Sequence, residues 1–324
     1  MLLRLVPEST DIKFISMRKI AFVVSAAMLL ASAVLFFTRG LNYGIDFRGG
    51  VNLYMQSEGG PADITEIRSV VSGLVEGKAK VKQFGDDTDV EIGIRRQSGG
   101  SDGQNEALKT VRAALAEAMP NLKFQSAEVI GPQVSGELKR DGMIAVISAV
   151  FFVLLYIWVR FEWQFGLGAV VALLHDVMLT IGFFSLTGLE FNLSIVAALL
   201  TIVGYSLNDT VVVYDRVREN VRKFRKKSMI DVLDISLNQT LSRTMMTSIT
   251  TLIALLALFF LGGAVIKGFS AAMIWGVFVG TYSSVFIASP MLLTFKLQRE
   301  AMLMDDDKND PTVDKSKPTV LDHL

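Results

Sequence analysis

The chain places charge where a membrane would be. In "VGYSLNDTVVVYDRVREN" (Val203–Asn220), Asp209 follows Tyr205 and Asn208 and sits in an apolar stretch that turns basic only after Asp215. At a helical rise of 1.5 Å per residue, Asp209 lies about 9 Å inside a boundary drawn at Asp215. An aspartate at the centre of a spanning helix costs about 2.5–3.5 kcal/mol, so it must face a bundle interior or a wet cavity. Two further charges share this setting. Asp176, preceded by His175, lies in the middle of the apolar run "FGLGAVVALLHDVMLTIGFFSL", and Arg243 enters another within "TLSRTMMTSITT". There Thr240, Thr244, Thr247 and Thr251 form a polar stripe at helical spacing.

The runs carrying Asp209 and Arg243 are consecutive, so their helices are antiparallel and the two charges can share a depth. Burial disfavours an ionised carboxyl while a nearby guanidinium favours it. A group under both influences can load a proton from one side and release it to the other as helices move. The same pair can also be a static strut, and the residues alone leave both readings open.

Catalysis is poorly supported. The chain has no Cys, which removes thiol chemistry, and only two His, His175 and His323, which nearly excludes a multi-histidine metal site. Asp209 and Asp176 lack the Gly-x-Gly-Asp element of intramembrane aspartyl proteases. "GYSLN" (Gly204–Asn208) lacks the closing glycine of a nucleophile elbow. Asp176 is expected about 100° round its helix from His175. No enzyme and no cofactor is expected.

The elements that must hold these residues are membrane spans. Of 324 residues, 51% are hydrophobic and the mean hydropathy is +0.44. Six runs reach spanning length: Ile20–Thr38, Asp141–Val159, Phe165–Leu186, Leu193–Tyr214, Thr240–Leu261 and Phe269–Phe295. The first has the flanks of a signal peptide but continues through Phe36 and Phe37, as a retained anchor does. Lys and Arg concentrate in Met1–Lys19, after the second span and in the link Asp215–Gln239. Basic loops stay cytosolic, so both termini are expected there and Arg39–Arg140 outside. The link has an amphipathic half, with Ser228 and Asp231 as a helix cap, expected to lie along the membrane surface. In the last span Gly276, Gly280, Ser284 and Ala288 make a close-approach face, and Pro290 is expected to kink it. The acidic tail Lys296–Leu324 reads as disordered.

The outside segment reads βαββαβ. "VNLYMQ" is a strand, "PADITEIRSVVSGL" a helix capped by Asp63, and "AKVKQFG" and "TDVEIGIRR" a hairpin. "SGGSDG" is a loop, "NEALKTVRAALAEAM" a helix stopped by Pro120, and "LKFQSAEVIGP" the closing strand. The fold class is therefore an α-helical polytopic bundle of six spans with a ferredoxin-like α+β outer domain. Two Gly-rich joints flank that domain, "GLNYGIDFRGG" and "VIGPQVSGEL". They are tight turns, or a hinge in which Asp46 and Arg48 hold one position as a local ion pair.

Together with "RFEWQFGLGAVVALLHDV" and "LNQTLSRTMMTSITTL", these motifs closely resemble the SecF branch of the bacterial SecD/SecF protein-export family, within the resistance-nodulation-division superfamily. The resemblance runs from about Arg18 to Gln298. It implies an inner-membrane subunit that uses the proton motive force to assist late translocation of preproteins. The implied partners are SecD, the SecYEG channel, YajC and YidC nearby, the translocating preprotein and the lipid bilayer, with no nucleic acid. Asp209 matches the family's proton-path aspartate and Arg243 its essential arginine, with Asp176 a polar position of the third span. Asn208, Tyr205 and Thr247 are the supporting polar residues. Gly44, Asp46, Phe47, Arg48, Gly49 and Gly50 match the family signature at the base of the outer domain, opposite Gly131 and Pro132. Half of a proton-coupled small-molecule exporter of the same superfamily is the alternative reading.

Overall fold

A computed structural model describes residues 10–77, 79–295 and 297; the acidic tail lies outside them. Among the described residues, six helical segments are long and apolar enough to span a membrane. The chain opens with a 3-10 turn, Phe14–Met17, and α1, Arg18–Arg39. A short strand β1 (Asn42–Tyr43) and a single helical turn α2 (Ile45–Arg48) then lead into the outer domain.

That domain runs β2 (Gly50–Ser57), α3 (Ile64–Val71), β3 (Lys80–Phe84), β4 (Asp86–Arg95), α4 (Gly100–Ala118) and β5 (Leu122–Ile130). The sheet order β3-β4-β2-β5, antiparallel throughout, is that of a ferredoxin-like sandwich. Alternation in β2 turns Val51, Leu53 and Met55 inward. They pack with Val90, Ile92 and Ile94 of β4 beneath Ile67, Val71, Val111 and Leu115 of the two helices. Each fully buried aliphatic contributes about 1.5–3 kcal/mol. Asp63 caps α3 by accepting from the amides of Thr65 and Glu66 at 2.9 and 3.0 Å. One expectation fails here: the "SGGSDG" loop is largely helix, because α4 starts at Gly100, directly after Gly99 in a left-handed conformation.

Five long helical pieces complete the bundle. They are α5 (Pro132–Arg160), α6 (Trp163–Thr187), α7 (Leu193–Lys223), α8 (Met229–Leu261) and α9 (Gly263–Ser283), the last continued by a π segment, Ser284–Ala288, and α10 (Ser289–Thr294). A two-residue strand β6 (Glu190–Phe191) between α6 and α7 pairs in parallel with β1. The second Gly-rich joint is therefore mostly not a turn: Gly131 caps α5, Pro132 takes its first turn, and the helix runs on unbroken.

The link helix does not lie along the surface. Ser228 Oγ caps it by accepting from the Asp231 amide at 3.2 Å, and α8 then continues into the membrane as one rod. Its apolar positions Val232, Leu233 and Leu237 are spent on protein, packing with Val217 and Val221 of α7 and with Phe14 and Ile15. Asn220 Nδ2 ties the two rods by donating to Ser236 Oγ at 2.9 Å and Gln239 Oε1 at 2.8 Å. The Ile15 amide adds a bond to Asp234 Oδ1 at 2.9 Å. A segment with such partners gains more from helix packing than from a membrane surface.

The small-residue face of α9 packs inside the bundle. A Cβ on Gly276 would lie 2.3 Å from Ile202 Cγ1, and one on Gly280 3.0 Å from Ser206 Cβ, both on α7. Pro290 acts upstream of itself: lacking an N–H, it cannot complete the α-helical ladder, and the preceding turn adopts π geometry. Ser289 Oγ donates to Ser284 O at 2.8 Å, and the buried Tyr214 hydroxyl donates to Ala288 O at 3.1 Å.

Candidate functional site in the helix bundle

α6 is closely enclosed, and small residues let it be so. A Cβ on Gly168 would lie 2.4 Å from the Tyr214 hydroxyl, and one on Gly182 would strike Ser32 of α1. Asp176 is consequently buried, with 1% exposure. Its Oδ2 accepts from Ser206 Oγ of α7 at 2.5 Å and from Ser283 Oγ of α9 at 2.8 Å. Its Oδ1 lies 3.0 Å from His175 Nδ1. The expectation that His175 points away from Asp176 is thus wrong: neighbouring side chains leave the helix apart, but rotation about their own bonds brings the ring to the carboxylate. His175 also stacks on Tyr282, centroids 5.9 Å apart, and its Nε2 is buried without a hydrogen-bond partner. Tyr282 in turn bonds Ser25 Oγ at 2.9 Å and Ala21 O at 3.1 Å, which draws α1 into the network.

Asp209 stands three residues beyond Ser206, on the same face of α7. It is buried, and among the described residues its Oδ2 has no hydrogen-bond partner. Arg243 is near enough to act on it electrostatically, yet among the described residues no contact of ion-pair length joins them. One turn separates the serine held by Asp176 from an acid whose Oδ2 has no hydrogen-bond partner among the described residues. The Tyr205 hydroxyl is likewise buried and unpartnered. Thr247 Oγ1 bonds its own helix, at Arg243 O (3.2 Å) and Thr244 O (2.9 Å), so it is not aimed at Asp209. Asn208 and Arg243 are exposed on this chain.

The base of the outer domain makes a second group of contacts. Asp46 does not turn to Arg48: its Oδ2 accepts from the Leu193 amide at 2.7 Å, at the N-terminus of α7, where Asn192 also caps. A carboxylate there gains from the helix dipole. Arg48 lies over the Tyr43 ring, 5.8 Å from its centroid, and Phe47 packs against Tyr43 and Phe191. Gly49 and Gly50 have φ of 71° and 146°, and a Cβ on Gly50 would lie 2.5 Å from Ile94 O. Gly44 has ordinary φ; its missing Cβ makes room instead, since one would lie 2.8 Å from Glu190 Oε1.

Sequence reasoning missed Ser206, Ser283, Tyr214, Lys82 and Glu190. Ser283 adjoins the small-residue stripe of the last span; Ser206, Tyr214 and the Lys82–Glu190 pair carry no local signal, because their partners are remote in the chain.

Residues 110–298 match the family described as "Protein export membrane protein SecD/SecF, C-terminal", and residues 34–60 match the "SecD/SecF GG Motif". The protein translocase subunit SecF of Rhodobacter capsulatus is 44% identical over 322 residues, covering 96% of this chain and 95% of that one. That of Rickettsia bellii (strain OSU 85-389) is 41% identical over 294 residues, 90% of this chain and 96% of its own. The crystal structure of SecDF, a translocon-associated membrane protein from Thermus thermophilus, superposes with a TM-score of 0.77 at 35% identity, over 89% of this chain. This chain spans only 39% of that longer one. SecDF in a super-membrane-facing form gives a TM-score of 0.65, also at 35% identity.

Proposed function

The chain belongs to the SecD/SecF protein-export family, and from that footing we propose that it is a proton-coupled subunit assisting the late stage of translocation through SecYEG. The observation that carries this is Asp209, buried on α7 with an unpartnered Oδ2 and subject to the charge of Arg243. A static strut would pair both oxygens, because an unsatisfied buried charge is expensive. A site that takes up and gives back a proton needs a free oxygen and a cation whose hold varies. Ser206 connects α7 to Asp176, so the charge state of Asp209 biases how α6, α7 and α9 pack. Asp46 then passes a shift of α7 to the base of the outer domain.

Arg243 and Asn208, exposed on this chain within spanning helices, argue for a membrane partner that covers them. A SecD subunit is the partner proposed, beside SecYEG, with YajC and YidC as neighbours and the preprotein as the load. The sidedness proposed is the bacterial inner membrane with both ends cytosolic. In support, the Arg- and Lys-rich ends of α7 and its link lie with Phe14–Met17 at one end of the bundle, while β6 meets the base of the outer domain.

The test is export into inner-membrane vesicles of chains carrying Asp209→Asn. Gradient-driven late translocation is expected to be lost while the protein remains folded and assembled. Normal translocation at normal protein level contradicts the reading.

A further inference from the structure

The outer domain has its own hydrophobic cluster, which shares no residue with the two clusters of the bundle. Polar side chains from one edge of its sheet reach down to the membrane side. Lys80 and Lys82 alternate with the inward Val81 on β3, so both ammonium groups leave the same face. Lys80 Nζ donates to Asn42 Oδ1 at 2.9 Å. Lys82 Nζ pairs with Glu91 Oε1 of its own sheet at 3.0 Å and with Glu190 Oε2 at 3.1 Å. Asn42 and Glu190 are themselves opposite each other in the β1–β6 pair, which belongs to the bundle. Gly44 leaves the space in which the Glu190 side chain lies.

These contacts sit across the two joints by which the chain enters and leaves the domain, Gly49–Gly50 and Gly131. A polar, part-exposed contact is exchangeable with water at little net cost, unlike a fused apolar interface. We propose that Lys82 is the latch of the outer domain, closed on Glu190 in this structure and released when the domain swings about the glycine joints during export. Glu91 holds the ammonium in place: it keeps Lys82 directed towards Glu190 and supplies an alternative partner once Glu190 withdraws. Burial opposes the Lys82 charge, but the facing carboxylates of Glu91 and Glu190 outweigh it and hold its pKa above the ordinary lysine value. The latch therefore stays charged through the working pH range. This inference rests on the proposed function, since a domain that need not move needs no latch.

Because the chain contains no cysteine, the contact can be locked selectively. Lys82→Cys and Glu190→Cys are combined in the full chain, assembled in vesicles with its native partners, and bridged with a short bifunctional methanethiosulfonate reagent. Bridging is expected to reduce export to the level of Asp209→Asn, and dithiothreitol to restore it, while the reagent leaves each single-cysteine chain at its own untreated level of export. Should the doubly substituted chain lose export before bridging, Asn42→Cys with Lys80→Cys locks the same joint and leaves the ion pair intact. Complete bridging, judged by mass, with undiminished export overturns the latch. Asp209→Asn measured in the same vesicles separates the two ideas: normal export there defeats the functional reading, whereas loss there with harmless bridging defeats the latch alone.

Discussion

At the scale of single residues, the molecule keeps two kinds of carboxylate. Asp176 is fully engaged, by two serines and an imidazole, and Asp209 is not. Outside the membrane, Glu91 shows what burial does when pairing is incomplete. Its side chain is 6% exposed while that of its partner Lys82 is 48% exposed, so the cost of removing water falls on the acid. Burial pushes Glu91 above the ordinary glutamate value, and Lys82 offsets this only in part. A raised acid keeps its proton in the folded domain at a pH where the unfolded chain has lost it. Its contribution to stability is therefore complete below the ordinary value of 4.5 and is lost as pH rises through the folded value. Glu91→Gln removes that slope. Hydrogen exchange of β3 and β4 in the full chain, corrected for intrinsic rates, should show wild-type protection falling as pH rises from that value, and a flat profile for the variant. Parallel profiles contradict this account of Glu91.

At the scale of elements, helix contacts depend on missing atoms. Gly276→Ala puts a Cβ 2.3 Å from Ile202 Cγ1, which forces α9 off α7 or Ile202 off its rotamer. Overpacking of this kind costs about 1–3 kcal/mol. Gly136→Ala, in α5 with nothing within 4 Å of the added carbon, is the control. An alanine in an open helix position is neutral or favourable by roughly 0.5–1 kcal/mol. Thermal unfolding in detergent should place Gly276→Ala below the unsubstituted chain and Gly136→Ala at or above it, and Ile202→Ala should relieve the first. Equal melting temperatures contradict the close-packed face.

The six spans were legible because each reads as an unbroken apolar run, and the βαββαβ order because alternation and helical spacing are local patterns. What escaped was set by tertiary partners. Nothing near Met229 reveals that α8 continues through the link, since the same amphipathic stripe serves a membrane surface or a neighbouring helix equally well. The charges of the site were legible from their cost in hydrocarbon. The serines that join Asp176 to α7 and α9 were not, because a serine among small residues reads first as packing. Asp46 was expected beside Arg48 on proximity along the chain. The N-terminus of α7, 147 positions away, offered the better donor.

At the scale of the whole molecule, the bundle and the outer domain have separate hydrophobic clusters and are joined by glycine-containing segments, a helix cap and an ion pair. Under the proposed function, that construction would let a local electrostatic event become a movement. On the proposed function, a proton arriving at Asp209 would remove the attraction of Arg243, α7 would shift against α6 and α9, and the Asp46 cap would carry the shift outward. The whole account depends on Asp209 exchanging its proton as the gradient is applied. Infrared difference spectroscopy on proteoliposomes containing the chain with its membrane partner, recorded as a pH gradient is imposed and collapsed, measures this directly. A protonated-carboxyl band that appears and disappears with the gradient, and is missing from Asp209→Asn, is the predicted result. An unchanging carboxyl signal in a preparation that exports preprotein contradicts the account.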